Sequence, residues 1–360
     1  MPEKWVLKQY QALPLEAKVH MSQARIKEWY DHWQGDVCVS FSGGKDSTVL
    51  AHLVHEFYPD VPLIFSNTGL EYPEIQAFAR KMGAMFVRPK MSFAEVISTY
   101  GYPIISKENA QAIYYARRIQ NSVYKTTDKK RKELEEQRRF TGAEYRDSIP
   151  RGEKTTEFFQ RKLSGLSTIP MIETTRRRMN LTGEKSLFNK EKWLPLCTET
   201  QFMISHKCCD IMKKRPMGAY QRKNKVFPFI GTLAEESKLR EQAWIRHGCN
   251  AFEGSKKTSQ PMSFWLEQDV LHYIYQKGLD IASVYGDIVA VDKYGYEYEP
   301  IPGMDYMLKT TKCDRTGCIF CAFGCHLEKG ETRFQRLAKT HPRQYEYCMR
   351  GGAMGRQSEI

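Results

Sequence analysis

The chain has 360 residues, 41% of them hydrophobic and 27% charged, which excludes an intrinsically disordered polymer and allows one large α/β domain or two modest ones. No stretch approaches the length of a membrane-spanning helix, so no membrane partner is expected. Lysine plus arginine number 55 against 42 aspartate plus glutamate, and this net charge of +13 suits polyanions: nucleotides, RNA or DNA.

Residues 1–34 read as a helical lead-in. The segment Met1–Gln11 has no basic-then-apolar signal pattern, so a cytoplasmic setting is expected. Asp36–Phe41 reads as a short buried strand, Ser42–Ser47 as a glycine loop, and Thr48–Phe57 as a helix broken at Pro59-Asp60. Leu63–Phe65 reads as a second strand, followed by Asn67-Thr68-Gly69. Pro73–Met82 reads as a helix with proline in its first turn. Ala84–Val87 is a third strand, and Ser92 caps a helix ending near Gly101. Strands alternating with helices at this spacing predict a parallel sheet covered on both faces.

Residues from about 106 to 190 break the rhythm. Arg117–Arg178 holds 17 Lys or Arg and 9 Asp or Glu, including Lys129–Lys132 and Arg176–Arg178. Tyr114, Tyr115, Tyr124, Phe140, Tyr145, Phe158 and Phe159 lie in and beside it. It reads as a basic helical insertion within an α/β domain over 35–300. Beyond it, Phe227–Gly231 is a strand leading into a loop, and Ser263 caps a helix with an apolar stripe at Leu266, Val270, Tyr273 and Ile274. Residues 301–360 form a cysteine-rich and then helical C-terminal segment.

The glycine loop carries the clearest chemistry. Gly43 and Gly44 let backbone N–H groups approach a phosphate, and the following helix N-terminus adds positive potential. Ser42, Ser47 and Thr48 offer hydroxyls. Lys45 can neutralise phosphate charge, and Asp46 can orient the loop or help hold Mg2+ on the nucleotide. The order is not Gly-x-x-x-x-Gly-Lys-Ser/Thr. It resembles the Ser-Gly-Gly-x-Asp-Ser signature of PP-loop ATP pyrophosphatases, which implies ATP or an adenylyl nucleotide as the expected ligand, with Lys45 and Asp46 the expected catalytic pair. Thr68 and Gly69, after the next strand, fall beside this loop at the carboxyl edge of the sheet.

Ten cysteines in a reducing compartment point to metal or redox chemistry rather than disulfides. Cys208 and Cys209 are adjacent, and Cys313, Cys318, Cys321 and Cys325 follow at close spacing. Three readings stand: a [4Fe-4S] cluster on Cys208, Cys209, Cys318 and Cys321; a zinc knuckle on Cys313, Cys318, Cys321 and Cys325; or reduced structural thiols. Cys38, in the first strand, reads as core.

Four segments in this order resemble the phosphoadenosine phosphosulfate (PAPS) reductase family: Val39–Ser47, Ser66–Glu74, Gly231–Arg240 and Pro261–Ile274. The resemblance implies an adenine nucleotide α-hydrolase-like parallel sheet flanked by helices. It implies nucleotide contacts at Gly231, Glu236, Ser237 and Arg240, and cluster ligation by Cys208, Cys209, Cys318 and Cys321. The chain departs from the family at Leu233, where arginine is common, and lacks the Glu-Cys-Gly-Leu-His tail that carries the reductase nucleophile. Its PP-loop is complete.

These departures favour substrate adenylylation by ATP and sulfur transfer, with a sulfur or electron donor protein as partner. A tRNA or DNA substrate would engage the basic insertion. Reduction of an adenylyl sulfate is one alternative. A non-catalytic nucleic-acid-binding module with a zinc knuckle is the other.

Overall fold

A computed structural model describes residues 4–117, 132, 190–193, 195–198, 202–254, 257–292, 294–300 and 306–349. The chain divides into two compact units. The first joins Met1–Phe93, Cys209–Phe320 and Leu337–Ile360; the second joins Ala94–Cys208 and Cys321–Arg336.

In chain order the elements are helices α1 (Lys4–Gln11) and α2 (Leu15–His32), strand β1 (Val37–Phe41), α3 (Lys45–His55), β2 (Leu63–Ser66), α4 (Pro73–Lys81) and β3 (Met85–Val87). Then come α5 (Phe93–Tyr100) and β4 (Ile104–Ile105). A π-helical turn over Asp210–Lys214 leads into α6 (Arg215–Asn224), then β5 (Phe227–Ile230), α7 (Lys238–His247), β6 (Asn250–Ala251) and β7 (Thr258–Ser259). The last are α8 (Glu267–Lys277), β8 (Ile288–Val291), β9 (Met307–Thr310), β10 (Ala322–Phe323), α9 (Arg333–Thr340) and α10 (Pro342–Met349).

The first unit is built on a six-stranded sheet in the order β3-β2-β1-β5-β7-β6. All neighbours run parallel except the edge pair β6 and β7, which is antiparallel, so the expected all-parallel sheet is mostly parallel. β1 is central, and Val37, Cys38, Val39 and Phe41 are all buried, as a parallel strand covered on both faces requires. Cys38 is core as expected, and burial pushes its thiol up to about 12.

Helix α2 buries Lys18, Ser22, Ile26 and Trp29, a stripe at helical spacing. Its two polar members find partners in the Pro261–Ile274 segment. Lys18 Nζ donates to Asp269 Oδ2 at 2.6 Å, Ser22 Oγ donates to the Pro261 carbonyl at 2.9 Å, and Trp265 Nε1 donates to Ser22 Oγ at 2.9 Å. Burying these groups is tolerable because each has a partner.

Two expected helix starts move. α3 begins at Lys45 rather than Thr48, so Lys45, Asp46 and Ser47 form its first turn. α8 begins at Glu267. The expected cap Ser263 is instead buried upstream and accepts the Ala234 N–H on its carbonyl at 2.7 Å, while Asp269 Oδ2 accepts the Leu266 N–H at 2.6 Å and caps the helix.

The second unit pairs β4 with β10 in parallel over a core of Ile105, Ala110, Ile113, Ala116, Cys197 and Ile204. Residues 107–117 are helical. Arg117 ties this helix to the Cys197 and Phe202 carbonyls at 3.2 and 2.7 Å. Beyond Arg117, apart from Lys132, the basic insertion lies outside the described residues, with Tyr124, Phe140, Tyr145, Phe158, Phe159 and both arginine–lysine clusters. Tyr114, expected among its aromatics, is buried with its ring edge-on to His206. No helix of the described residues is long and apolar enough to cross a membrane.

Candidate functional site

The site follows from β1 ending at Phe41. The chain turns through Ser42-Gly43-Gly44 and enters α3. Gly43 has φ +72°, and a Cβ there would lie 2.9 Å from Ile75 Cγ2, so glycine is required on both counts. Hydroxyls brace the turn from inside. Ser47 Oγ and Thr48 Oγ1 donate to the Gly44 carbonyl at 3.0 and 2.9 Å, Ser47 Oγ accepts the Ser42 N–H at 3.2 Å, and Ser42 Oγ accepts the Gly44 N–H at 3.3 Å. Ser47 and Thr48 are therefore committed to loop shape.

The loop opens on a cleft of about 770 Å³ within the first unit. Of the residues proposed from the sequence as nucleotide contacts, Ser42, Gly44, Lys45, Asp46, Ser47, Gly231, Glu236 and Arg240 line it. Gly43, Thr48, Thr68, Gly69 and Ser237 do not. Thr68 and Gly69 do sit after β2, the strand beside β1, but Thr68 donates its hydroxyl and its N–H to the Glu71 carboxylate at 2.7 and 3.1 Å. Ser237 Oγ caps α7 by accepting the Arg240 N–H at 3.3 Å.

Gly231 shows why that position carries no side chain. A Cβ there would lie 3.0 Å from the Asp46 carbonyl oxygen and 3.2 Å from Ser47 N. The loop after β5 is thus pressed against the first turn of α3. Glu236, in the same loop, accepts the Leu233 N–H at 3.2 Å and pairs with both Arg240 and Arg315.

Charged groups in the cleft pair locally, but carboxylates are in excess. Lys45 is almost fully buried, and its Nζ donates to Glu267 Oε1 at 3.1 Å. Burial pushes the Asp46 carboxyl above the usual range, against the pull of Lys45. Five carboxylates line the cleft (Asp46, Glu235, Glu236, Glu267 and Asp314) against three cations, Lys45, Arg240 and Arg315. A polyphosphate entering this lining needs an accompanying cation. Tyr285 forms part of the wall; its hydroxyl meets Thr316 Oγ1 at 2.6 Å, and burial pushes it up to about 12.

Arg315, Glu267, Tyr285 and Asp314 escaped the sequence reading. Glu267 lies inside the Pro261–Ile274 segment, but its side chain reaches a lysine 222 residues away, which no local pattern records. Arg315 lies between Cys313 and Cys318, where cysteine spacing dominates.

The cysteines are divided. Cys209, Cys313 and Cys318 belong to the first unit, Cys208, Cys321 and Cys325 to the second. Cys313 Sγ donates to the Arg315 carbonyl at 2.9 Å and packs against the main core. In the first unit Lys213 hydrogen-bonds Cys318, lies near Cys209 and pairs with Glu71 Oε1 at 3.5 Å. Burial opposes the Lys213 charge, but Cys318 and Glu71 outweigh it and hold the ammonium above its ordinary value. Burial likewise pushes the Cys318 thiol up to about 11, against Lys213. Among the described residues, no group of three or more His, Cys, Asp or Glu is arranged to hold a metal ion.

A search of curated proteins finds no match. The family model of the phosphoadenosine phosphosulfate reductase domain matches residues 36–181 and 166–323, which takes in β1 with its glycine loop, the Gly231–Arg240 loop and the Cys313–Cys321 stretch. With that coverage and this cleft, the chain belongs to the phosphoadenosine phosphosulfate reductase family, whose members are enzymes of sulfur metabolism that bind adenylyl nucleotides.

Proposed function

We propose that this protein binds Mg-ATP in the cleft beside Ser42–Ser47, adenylylates a substrate oxygen, and completes a sulfur transfer on the activated product. The observation that carries this reading is the complete PP-loop in a cleft where carboxylates outnumber cations. That lining favours a nucleotide that arrives with Mg2+.

The substrate oxygen forms a bond to the α-phosphorus as the α–β anhydride bond breaks, and pyrophosphate leaves with the bonding pair. A sulfide-level sulfur from a donor protein then displaces AMP. Lys45 and the N–H groups of the α3 first turn would stabilise charge on the phosphates, and Asp46 would hold the magnesium ion. Displacement of Glu267 from Lys45 by the incoming phosphate would free the ammonium for that role.

A [4Fe-4S] cluster on Cys208, Cys209, Cys318 and Cys321 belongs to the same reading. Support comes from the order Cys-Cys then Cys-x-x-Cys. Such a cluster would supply sulfur handling. A nucleic-acid substrate is proposed from the charge of Arg117–Arg178.

The test is thermal stabilisation of anaerobically purified protein by Mg-ATP, adenosine phosphosulfate and phosphoadenosine phosphosulfate, with iron and sulfide assayed on the same sample. Strongest stabilisation by Mg-ATP and about four irons per chain support the reading. Strongest stabilisation by a phosphosulfate replaces adenylylation with reduction; one zinc and no sulfide replaces the cluster.

A further inference from the structure

Between Gly231 and Ser237 the loop after β5 holds no cation. Leu233 is 2% exposed, packs into the main core and lines the cleft without bringing a charge to it. Yet the glutamate three residues on, Glu236, is bracketed by two guanidiniums. One is Arg240, four residues on in the first turn of α7. The other, Arg315, comes from a segment 79 residues further along the chain.

We propose that Arg315 is a phosphate-binding residue of the nucleotide cleft, supplying from the cysteine-rich segment a cation beside a loop that has none between Gly231 and Ser237. Glu236 is shared by two guanidiniums, each with five N–H donors, so donors remain for phosphate oxygens even though carboxylates outnumber cations in the cleft as a whole. The Arg315 side chain is 67% exposed and can turn toward a ligand without unburying anything. Its backbone, by contrast, is pinned on both sides. The Cys313 thiol donates to the Arg315 carbonyl, and the neighbouring Thr316 is tied to the buried Tyr285. Lys45 Nζ lies 5.6 Å from the centre of that same Tyr285 ring, so the segment carrying Arg315 and the lysine of the glycine loop share one wall. Arg240 is held below its ordinary value by burial and then by Arg315, against the pull of Asp46. Two like charges kept side by side at a cleft are the arrangement that a polyanion relieves. A planar guanidinium anchored by one carboxylate keeps donors over for phosphate oxygens.

The inference rests on the cleft being the nucleotide site, and the experiment separates the two. Dissociation constants for Mg-ATP, Mg-ADP, AMP and adenosine are measured calorimetrically on wild type, Arg315→Ala, Arg315→Gln and Lys45→Ala. A charge-assisted contact corresponds to roughly a ten- to hundredfold loss of affinity. Arg315→Ala should weaken Mg-ATP by that factor and leave adenosine within about twofold, with an unchanged thermal midpoint without ligand. Arg315→Gln, which keeps a hydrogen-bonding group, should lose less and covers the case in which the alanine variant folds poorly. If Lys45→Ala abolishes Mg-ATP binding while both Arg315 variants bind as wild type, the cleft stands and Arg315 is only the partner of Glu236. An equal loss for adenosine also overturns the proposal. If wild type binds none of the four, the nucleotide reading falls and Arg315 falls with it.

Discussion

Gly231→Ala tests how the cleft is built. The new Cβ would lie 3.0 Å from the Asp46 carbonyl oxygen, 3.1 Å from its carbon and 3.2 Å from Ser47 N. All three are backbone atoms in the first turn of α3, so none can rotate away; the turn must move by a few tenths of an ångström. Overpacking of this kind costs about 1–3 kcal/mol. Gly231 is not among the glycines with positive φ, so its own backbone accepts alanine and the cost comes from the contact alone. The displaced turn carries the N–H groups and Lys45, so affinity for Mg-ATP should fall as well. Misplacing one charge-assisted contact weakens binding roughly ten- to hundredfold. At saturating nucleotide a hundredfold loss removes about 2.7 kcal/mol of ligand stabilisation. Thermal unfolding with and without Mg-ATP reads both effects. The control is Gly218→Ala in α6, where the nearest atom to the new methyl is the mobile Arg222 Nη1 at 3.3 Å. That variant should gain about 0.5–1 kcal/mol, with an unchanged response to nucleotide. An unaltered midpoint and an unaltered Mg-ATP shift in Gly231→Ala would refute the account of the two loops as one packed unit.

Two further outcomes are expected. Burial raises the Asp46 carboxyl above its unfolded value, so its favourable contribution is complete below about pH 4 and is lost as pH rises through the folded value. Asp46→Asn should therefore unfold at a higher temperature than wild type at pH 7, converge with it near pH 4, and lose nucleotide turnover; a pH-independent difference in midpoint contradicts the burial argument. Lys18→Met strands the Asp269 carboxylate, which is only 14% exposed, and should destabilise the protein by about 3 kcal/mol. Lys18→Met/Asp269→Asn should recover part of that loss in denaturant titrations, and no recovery would mean the pair is not coupled.

The central strands and the glycine loop were legible because their signals are local. Val37–Phe41 is an apolar run, and Gly43 and Gly44 follow at the spacing the turn requires. β6 and β7 were not legible: each is two residues long, and neither Asn250-Ala251 nor Thr258-Ser259 forms an apolar pattern. The α3 start was misjudged because Lys45 and Asp46 read as loop chemistry, although a helix first turn accommodates an acidic residue well. The Pro261–Ile274 segment was legible as a family signature but not for what it does. Trp265 and Asp269 hold α2 against the core through Ser22 and Lys18, contacts spanning 243 and 251 residues. Arg315 stayed hidden for the same reason, since its partner Glu236 is remote in sequence.

The position of β1 in the sheet has a consequence in time. It pairs with β2 on one edge and β5 on the other, and Phe227 lies 186 residues beyond Phe41. At about 5–20 residues per second, the ribosome needs roughly ten to forty seconds to make that stretch. Through that interval β3-β2-β1 can form, but one edge of an apolar strand waits without its neighbour, open to pairing with another chain. The seam at the middle of the finished sheet closes only after more than half of the protein has been synthesised.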